Sequence, residues 1–351
     1  GPHGTTSTSD PCKTHSRSER TEIMKKIINA PENFVDEFVE GILLAHPDLV
    51  KTPGEDLRVL VRADAPLAGK VGIVTGGGSG HLPLFKGYVG QGLCSGVAIG
   101  NVFSSPSSDQ IFQATKAVDG GAGVLYLYGN YGGDVFNFDL AGDLAELEGI
   151  ETRTVLGRGD VASQPKERKL DRRGVAGIFF AYKAAGAAAE RGDSLEQVAT
   201  IAEDVVEHTA TIGIGLAPTI LPTTGKPSFE LPDGEMEIGI GIHGEPGSRR
   251  GPLETADQIA EHFTTALVED LGLGEGARVA VLVNGLGATP LEELYLLYRR
   301  THQLLTERGI EIVEKYVGEY ATRLEMAGAS FSLLAPHPAR LELLRAPAQS
   351  P

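Results

Sequence analysis

Cysteine is nearly absent: Cys12 and Cys94 are the only two in 351 residues, and Cys12 sits in a polar tail. That excludes a disulfide framework. Neither CxxC nor HExxH spacing occurs, so no metal site is expected. No apolar run reaches the roughly 20 residues of a membrane span. The N-terminal stretch lacks the apolar core of a secretory signal, so a cytoplasmic protein with no membrane partner is expected. Basic residues are outnumbered, 31 Lys+Arg against 47 Asp+Glu, for a formal net charge of −16. A chain this acidic is a poor binder of a phosphate backbone, which argues against a nucleic-acid partner and for a small substrate. The Gly-Lys-Ser/Thr ending of a Walker A loop is also missing, so a phosphate cradle of that kind is excluded.

Glycine, by contrast, is abundant: 46 residues, clustered in short loops beside apolar runs. The length suits two domains. Residues 1–23 are polar and read as a disordered tail or tag remnant. Residues 32–45 place Phe34, Val35, Phe38, Val39, Ile42 and Leu43 on one helical face, with Pro31 suited to the first turn. Short β-branched runs then alternate with helical patterns. The run at 123–128 is apolar without alternation, as in a strand covered on both faces. Ser107 or Ser108 caps a helix, and Ser194 with Gln197 has capping-box spacing. Residues 158–173 are charged and break the rhythm, and read as a solvated connection or a loop lying over something. The second half repeats the mixed pattern. The expected fold is α/β, with two α/β domains, each a β-sheet flanked by helices, spanning 24–200 and 201–351.

Four segments carry candidate chemistry. TGGGSGH (75–81) ends a strand and offers bare backbone to a ligand. It is not a dinucleotide fingerprint, since G-x-G-x-x-G from Gly76 needs glycine at position 81, which is His81; this weakens an oxidoreductase reading. A tight turn fits it equally well. GNYGGD (129–134) follows another strand, and Asp134 reads by itself as a helix N-cap. Ligands in open α/β sheets collect beyond the carboxyl ends of strands, so His81 and Asp134 can converge as proton acceptor and carboxylate. In EMEIGIGIHGEPG (235–247), Met236, Ile238, Ile240 and Ile242 alternate as in a strand. Its other face is bare at Gly239 and Gly241 and ends in His243. NGLGATP (284–290) is a further loop before a helix, read as a turn and cap.

These segments, with GYVGQG, RRGVAG, AAAERGDSLE, GKPSF and NGLGATPLEELY, resemble the substrate-binding K subunit or K domain of dihydroxyacetone kinases, from about Met24 to the C-terminus. The resemblance implies a ketose held covalently, with a ring nitrogen of His243 on its carbonyl carbon as a hemiaminal. It implies that His81 accepts the proton of the terminal hydroxyl and that Asp134 binds it. Backbone from Gly77, Gly78, Ser79 and Gly80 lines the pocket. No cofactor is expected on this chain: ATP and Mg belong to a partner L domain or L subunit, and the K part forms a homodimer. Two positions depart from the family's pattern. Leu82 stands where Ser-Gly-His-Glu-Pro has a carboxylate, and Gly129 stands where a lysine is frequent. Loss of that lysine predicts room for a ketose larger than dihydroxyacetone, such as erythrulose or apulose. A non-catalytic ketose-binding coactivator of the same family is the alternative.

Overall fold

The computed structural model of the protein describes residues 24–242 and 245–351. The tail expected over residues 1–23 and the candidate His243 lie outside them.

After a 3-10 turn at Pro31–Asn33 comes α1 (Phe34–Ala45), which buries Val35 and Val39. The first sheet follows, from β1 (Val50–Lys51), β2 (Val59–Arg62), β3 (Gly72–Ser79), β4 (Gly96–Val102), β5 (Val124–Gly129) and β6 (Thr152–Gly157), in the order β1-β2-β4-β3-β5-β6. β3, β4, β5 and β6 run parallel, and β1 and β2 are antiparallel additions. Two pairs of helices cover the faces: α2 (Ser108–Val118) with α3 (Gly132–Leu147), and α4 (Ile178–Glu190) with α5 (Leu195–Glu207). β5 explains its unbroken apolar run. Val124, Tyr126 and Tyr128 pack with Phe138 and Ile111 on one side, while Leu125 and Leu127 join Phe180 and Val198 on the other.

The second sheet is built from β7 (Thr209–Ala217), β8 (Glu235–Ile238), β9 (Arg249–Pro252), β10 (Arg278–Gly285), β11 (Glu311–Gly318) and β12 (Ala327–Leu334), in the order β11-β10-β12-β7-β8-β9. Only β10 and β11 are parallel. α6 (Ala256–Leu271) and α7 (Leu291–Glu307) close one face, where Phe263 and Leu294 meet Ile212 and Val281. From the other face Ala280, Leu282 and Leu334 enter the same core as α4. Eleven of the 13 residues of α4 are buried, so this helix is covered nearly all round between the two sheets. Its alanines and Gly186 permit that approach: a Cβ on Gly186 would overlap the carbonyl oxygen of Gly92. The last helix, α8 (Pro338–Arg345), packs back on α4 through Leu343 and Leu344. Among the described residues, no helix is long and apolar enough to cross a membrane.

The capping box at Ser194–Gln197 forms as expected, and of the two serines offered for α2 it is Ser107 that caps, in a capping box with Gln110. Two local readings are corrected and a third is narrowed. Gly76, Gly77 and Gly78 of TGGGSGH lie inside β3, not in a loop; Gly77 and Gly78 are bare because the Phe85 ring and the Ser104 amide pack directly on the strand. β8 stops at Ile238 because Gly239 takes φ +79°, although Ile240 and Ile242 stay buried. Of the two readings of residues 158–173, the loop lying over something holds at its ends, where Arg158, Asp160 and Arg172 are buried, while residues 165–168 and 170–171 are exposed.

Candidate functional site

The chain leaves β3 for β4 on one side and returns through α2 to β5 on the other side of β3. Such a reversal is where open α/β sheets hold their ligands, beyond the carboxyl ends of the two adjacent parallel strands. Gly80 and His81 follow β3, and the segment 130–134 follows β5. Gly80 has φ +103°, and a Cβ there would lie 2.8 Å from the Phe103 ring, so glycine is required at this bend. His81 is fully buried, and its ring stacks on Phe103 with centroids 5.1 Å apart.

Nδ1 of His81 lies 2.8 Å from the carbonyl oxygen of Thr322. A carbonyl only accepts, so Nδ1 carries a proton, and whenever the ring is neutral its lone pair is on Nε2. The segment that holds the ring comes from the second sheet's side of the molecule. Leu324 N donates to Gly80 O at 2.7 Å, Thr322 N to His81 O at 3.2 Å, and Thr322 Oγ1 to Leu82 O at 2.8 Å. The His81 tautomer is therefore set by the docking of the two halves.

Asp134 is buried in the first turn of α3, whose N-cap is Tyr131, so the N-cap reading of Asp134 is corrected. A carboxylate in this position is favoured by the helix amides. Residues 103–105 connect the two loops. Ser104 N packs beneath Gly78, and Asn137 Nδ2 of α3 donates to Ser105 Oγ at 3.2 Å. Gly129 is buried at the end of β5, and a Cβ on it would lie 3.2 Å from the Tyr131 ring and 3.6 Å from Gly174 Cα. Tyr131 and Gly174 thus bound the space that the missing lysine was expected to leave open.

The charged stretch 158–173 clamps both halves. Arg172 makes a bidentate pair with Asp270 of α6 at 2.9 and 2.7 Å, while Asn130 Nδ2 donates to the Arg172 carbonyl at 2.9 Å. Arg173 pairs with Asp160 at 2.9 Å and lies 3.6 Å from Glu245, and its Nη2 donates to the Gly239 carbonyl at 3.3 Å. Burial holds the Asp160 carboxyl up, at about 6, against the pull of Arg173. Burial, with Glu245 and Asp160 nearby, raises the Tyr131 phenol well above its ordinary range, so it stays protonated. Opposite them lies Arg323, 1% exposed, with its guanidinium 5.3 Å from the Phe103 ring and 5.7 Å from Phe229.

The chain matches the family model of the Dak1 domain over residues 40–351. It belongs to the Dak1 family. It is 44% identical over 311 residues to "PTS-dependent dihydroxyacetone kinase 1, dihydroxyacetone-binding subunit DhaK" of Listeria innocua serovar 6a, covering 89% of this chain and 94% of that one. It is 42% identical over 333 residues to "L-erythrulose kinase" of Pectobacterium atrosepticum, covering 93% of this chain and 56% of that protein. Among solved structures, "Dihydroxyacetone kinase operon co-activator Dha-DhaQ" superposes with a TM-score of 0.83 at 32% identity, covering 89% of this chain and 96% of that one.

In this Dak1 chain the fold places His81 and Asp134 on neighbouring strand ends, with Ser79 and Gly80 leading into the first. The bare face at Gly241 has a definite occupant: a Cβ there would overlap Glu245 Oε2 and lie 2.5 Å from Arg173 Nη1. Gly241→Ala should therefore push the Arg173–Glu245 pair off the segment that ends in His243. The expected outcome is reduced ketose uptake with little loss of stability in thermal melting, because both contacts are ends of flexible side chains that can move aside. Unchanged uptake would mean that the bare face is unrelated to binding. The NGLGATP loop is a turn: α7 starts at Leu291, and Glu292 and Glu293 in its first turn oppose an anion there. Arg173, Asp160, Thr322 and Arg323 escaped the sequence reading. The one local sign was arginine in ATRLEMAG, a charge amid small and apolar residues.

Proposed function

We propose that this chain is the ketose-binding component of a ketose kinase, acting with an L domain or subunit that carries ATP and Mg, as a homodimer in the cytoplasm. Its substrate is dihydroxyacetone or a larger ketose such as erythrulose. A ring nitrogen of His243 adds to the ketone carbon; the carbonyl oxygen gains a proton and becomes a hydroxyl, the nitrogen loses one, and a hemiaminal results. The terminal hydroxyl of the trapped ketose then gives its proton to Nε2 of His81 while its oxygen takes the phosphoryl group, and ADP leaves. Before the step Asp134 accepts that hydroxyl's single O–H and so positions its oxygen; the bond is given up as the proton passes to Nε2 of His81.

The observation that carries this reading is the fixed tautomer of His81. Thr322 holds Nδ1–H at 2.8 Å, which leaves the ring a base on its other side, beside the α3 terminus that bears Asp134. Covalent capture also selects ketones over polyols, which offer no electrophilic carbon. The structural likeness to a co-activator favours a second reading, a ketose sensor without turnover. A buried base and a buried carboxylate at one switch point favour the kinase.

The test is a crystal soaked with dihydroxyacetone or erythrulose, together with turnover assayed with an L subunit and ATP. Continuous density from His243 to the ketose carbon and production of the ketose phosphate are expected. A ketose bound away from His243 overturns the trap, and capture without any phosphorylation favours the sensor.

A further inference from the structure

Arg323 is a costly residue to bury unless something meets its donors. A guanidinium has five N–H groups and no acceptor. Nη1 reaches the Gly241 carbonyl at a long 3.4 Å and Met326 Sδ at 3.7 Å. Nε is buried without a hydrogen-bond partner among the described residues. The flat faces of Phe103 and Phe229 hold the group in place but accept nothing in its plane. A buried charged donor left unmade is strongly unfavourable, which points to an acceptor that arrives with a ligand.

The place for that acceptor is defined. Arg323, Asp160, Gly241, Ile242, Asn284 and Ser330 line a narrow cavity of ≈ 20 Å³. A water needs about 10–15 Å³ of such space, so the cavity holds one hydroxyl-sized group and no more. Gly241 and Ile242, which line it, are the last described residues before His243 in the chain. Both the His81 ring and the Arg323 guanidinium lie against Phe103, and the cavity is walled by Arg323 and not by His81. A ketose held at its carbonyl carbon therefore has one arm for His81 and Asp134 and another for Arg323. Charge argues for a neutral acceptor. Asp134, Asp160 and Glu245 already outnumber Arg173 and Arg323, so a further anion is disfavoured and a hydroxyl is not.

We propose that Arg323 is a specificity-determining residue, whose guanidinium donates to the terminal hydroxyl of the longer, unphosphorylated arm of a four-carbon ketose, a hydroxyl that dihydroxyacetone lacks, seated in this cavity. This inference rests on the proposed function. It moves the source of a preference for a longer ketose from Gly129, whose surroundings are filled by Tyr131, to Arg323.

The test needs no partner subunit. Dissociation constants of dihydroxyacetone and of erythrulose, as both enantiomers, are measured by calorimetry on the wild-type chain, Arg323→Met and Arg323→Lys. One hydrogen bond to a charged donor makes a difference of roughly tenfold to a hundredfold. Arg323→Met should weaken one erythrulose enantiomer by that factor and dihydroxyacetone by less than about threefold, with Arg323→Lys between. A purely structural role would weaken both ketoses equally, and that result overturns the inference, as does no change in either. If Arg323→Met does not fold, the same comparison with Arg323→Lys decides. A wild type that binds dihydroxyacetone alone overturns this inference and leaves the proposed function standing; one that binds no ketose ends both.

Discussion

His81→Ala should lower kcat by roughly two to four orders of magnitude, with the dissociation constant for ketose changed little. The variant is assayed with its nucleotide-bearing partner and saturating ketose, and uptake is measured separately on the chain alone. The expectation follows from the proposed division of labour, in which His243 captures the ketone and His81 only takes a proton as the phosphoryl group moves. Alanine also removes the stacking on Phe103 and the bond to the Thr322 carbonyl, so a control is required. His81→Asn supplies it, because an amide N–H can still donate to Thr322 while the side chain is no base near neutral pH. Both variants should be equally inactive. Activity of His81→Asn within tenfold of wild type would assign His81 a structural role, and full activity of both would remove it from the mechanism.

A stability gain is expected from Lys86→Met. Lys86 is 1% exposed, and its ammonium sits 5.0 Å from the Phe38 ring of α1. Burial, with a smaller push from Arg58, lowers its pKa from 10.5 to about 7. The folded chain therefore resists protonation that the unfolded chain accepts. Between pH 7 and 10.5 the unfolded state binds the extra proton, so this group makes stability rise with pH across that window. Below pH 7 both states are protonated and the penalty is at its full size; above 10.5 it vanishes. A shift of this size corresponds to roughly 3–5 kcal/mol, offset by a cation–π contact of about 0.5–2 kcal/mol. Lys86→Met, which keeps the volume, should be the more stable protein at pH 7 by roughly 2–4 kcal/mol. Melting curves of both proteins from pH 6 to 10.5 check it: the difference should shrink steadily above pH 7. A difference that stays constant with pH would mean that the ammonium is well solvated or paired.

Local pattern carried much of the fold. An unbroken apolar run located β5, helical spacing located α1, and capping-box spacing located the start of α5, because each signal is a relation between residues at most four apart. The capping boxes were legible for the same reason, since Ser194 and Gln197 satisfy each other's amides three residues apart. Glycine density marked the approach to both strand ends. It misplaced the reason at β3, where the missing side chains make room for Phe85 and Ser104, which no periodicity reveals.

Chemistry at the site was legible only as residue types. That His81 and Asp134 follow the ends of neighbouring strands, β3 and β5, follows from the crossing of β4 and α2 over β3, a choice of sheet order that sequence spacing leaves open. That residues 158–173 form a clamp depends on Asp270 and Glu245, far along the chain. The proton on Nδ1 of His81 is assigned by a carbonyl 241 residues away. Arg323 is an ordinary charged residue until two aromatic rings and a small cavity surround it. The sequence by itself determined which segments are strands and helices and where bare backbone is available, because those properties are decided among near neighbours. The tertiary structure alone decided which nitrogen is the base and which guanidinium is left needing an acceptor. Both are properties of burial and of partners brought together by packing.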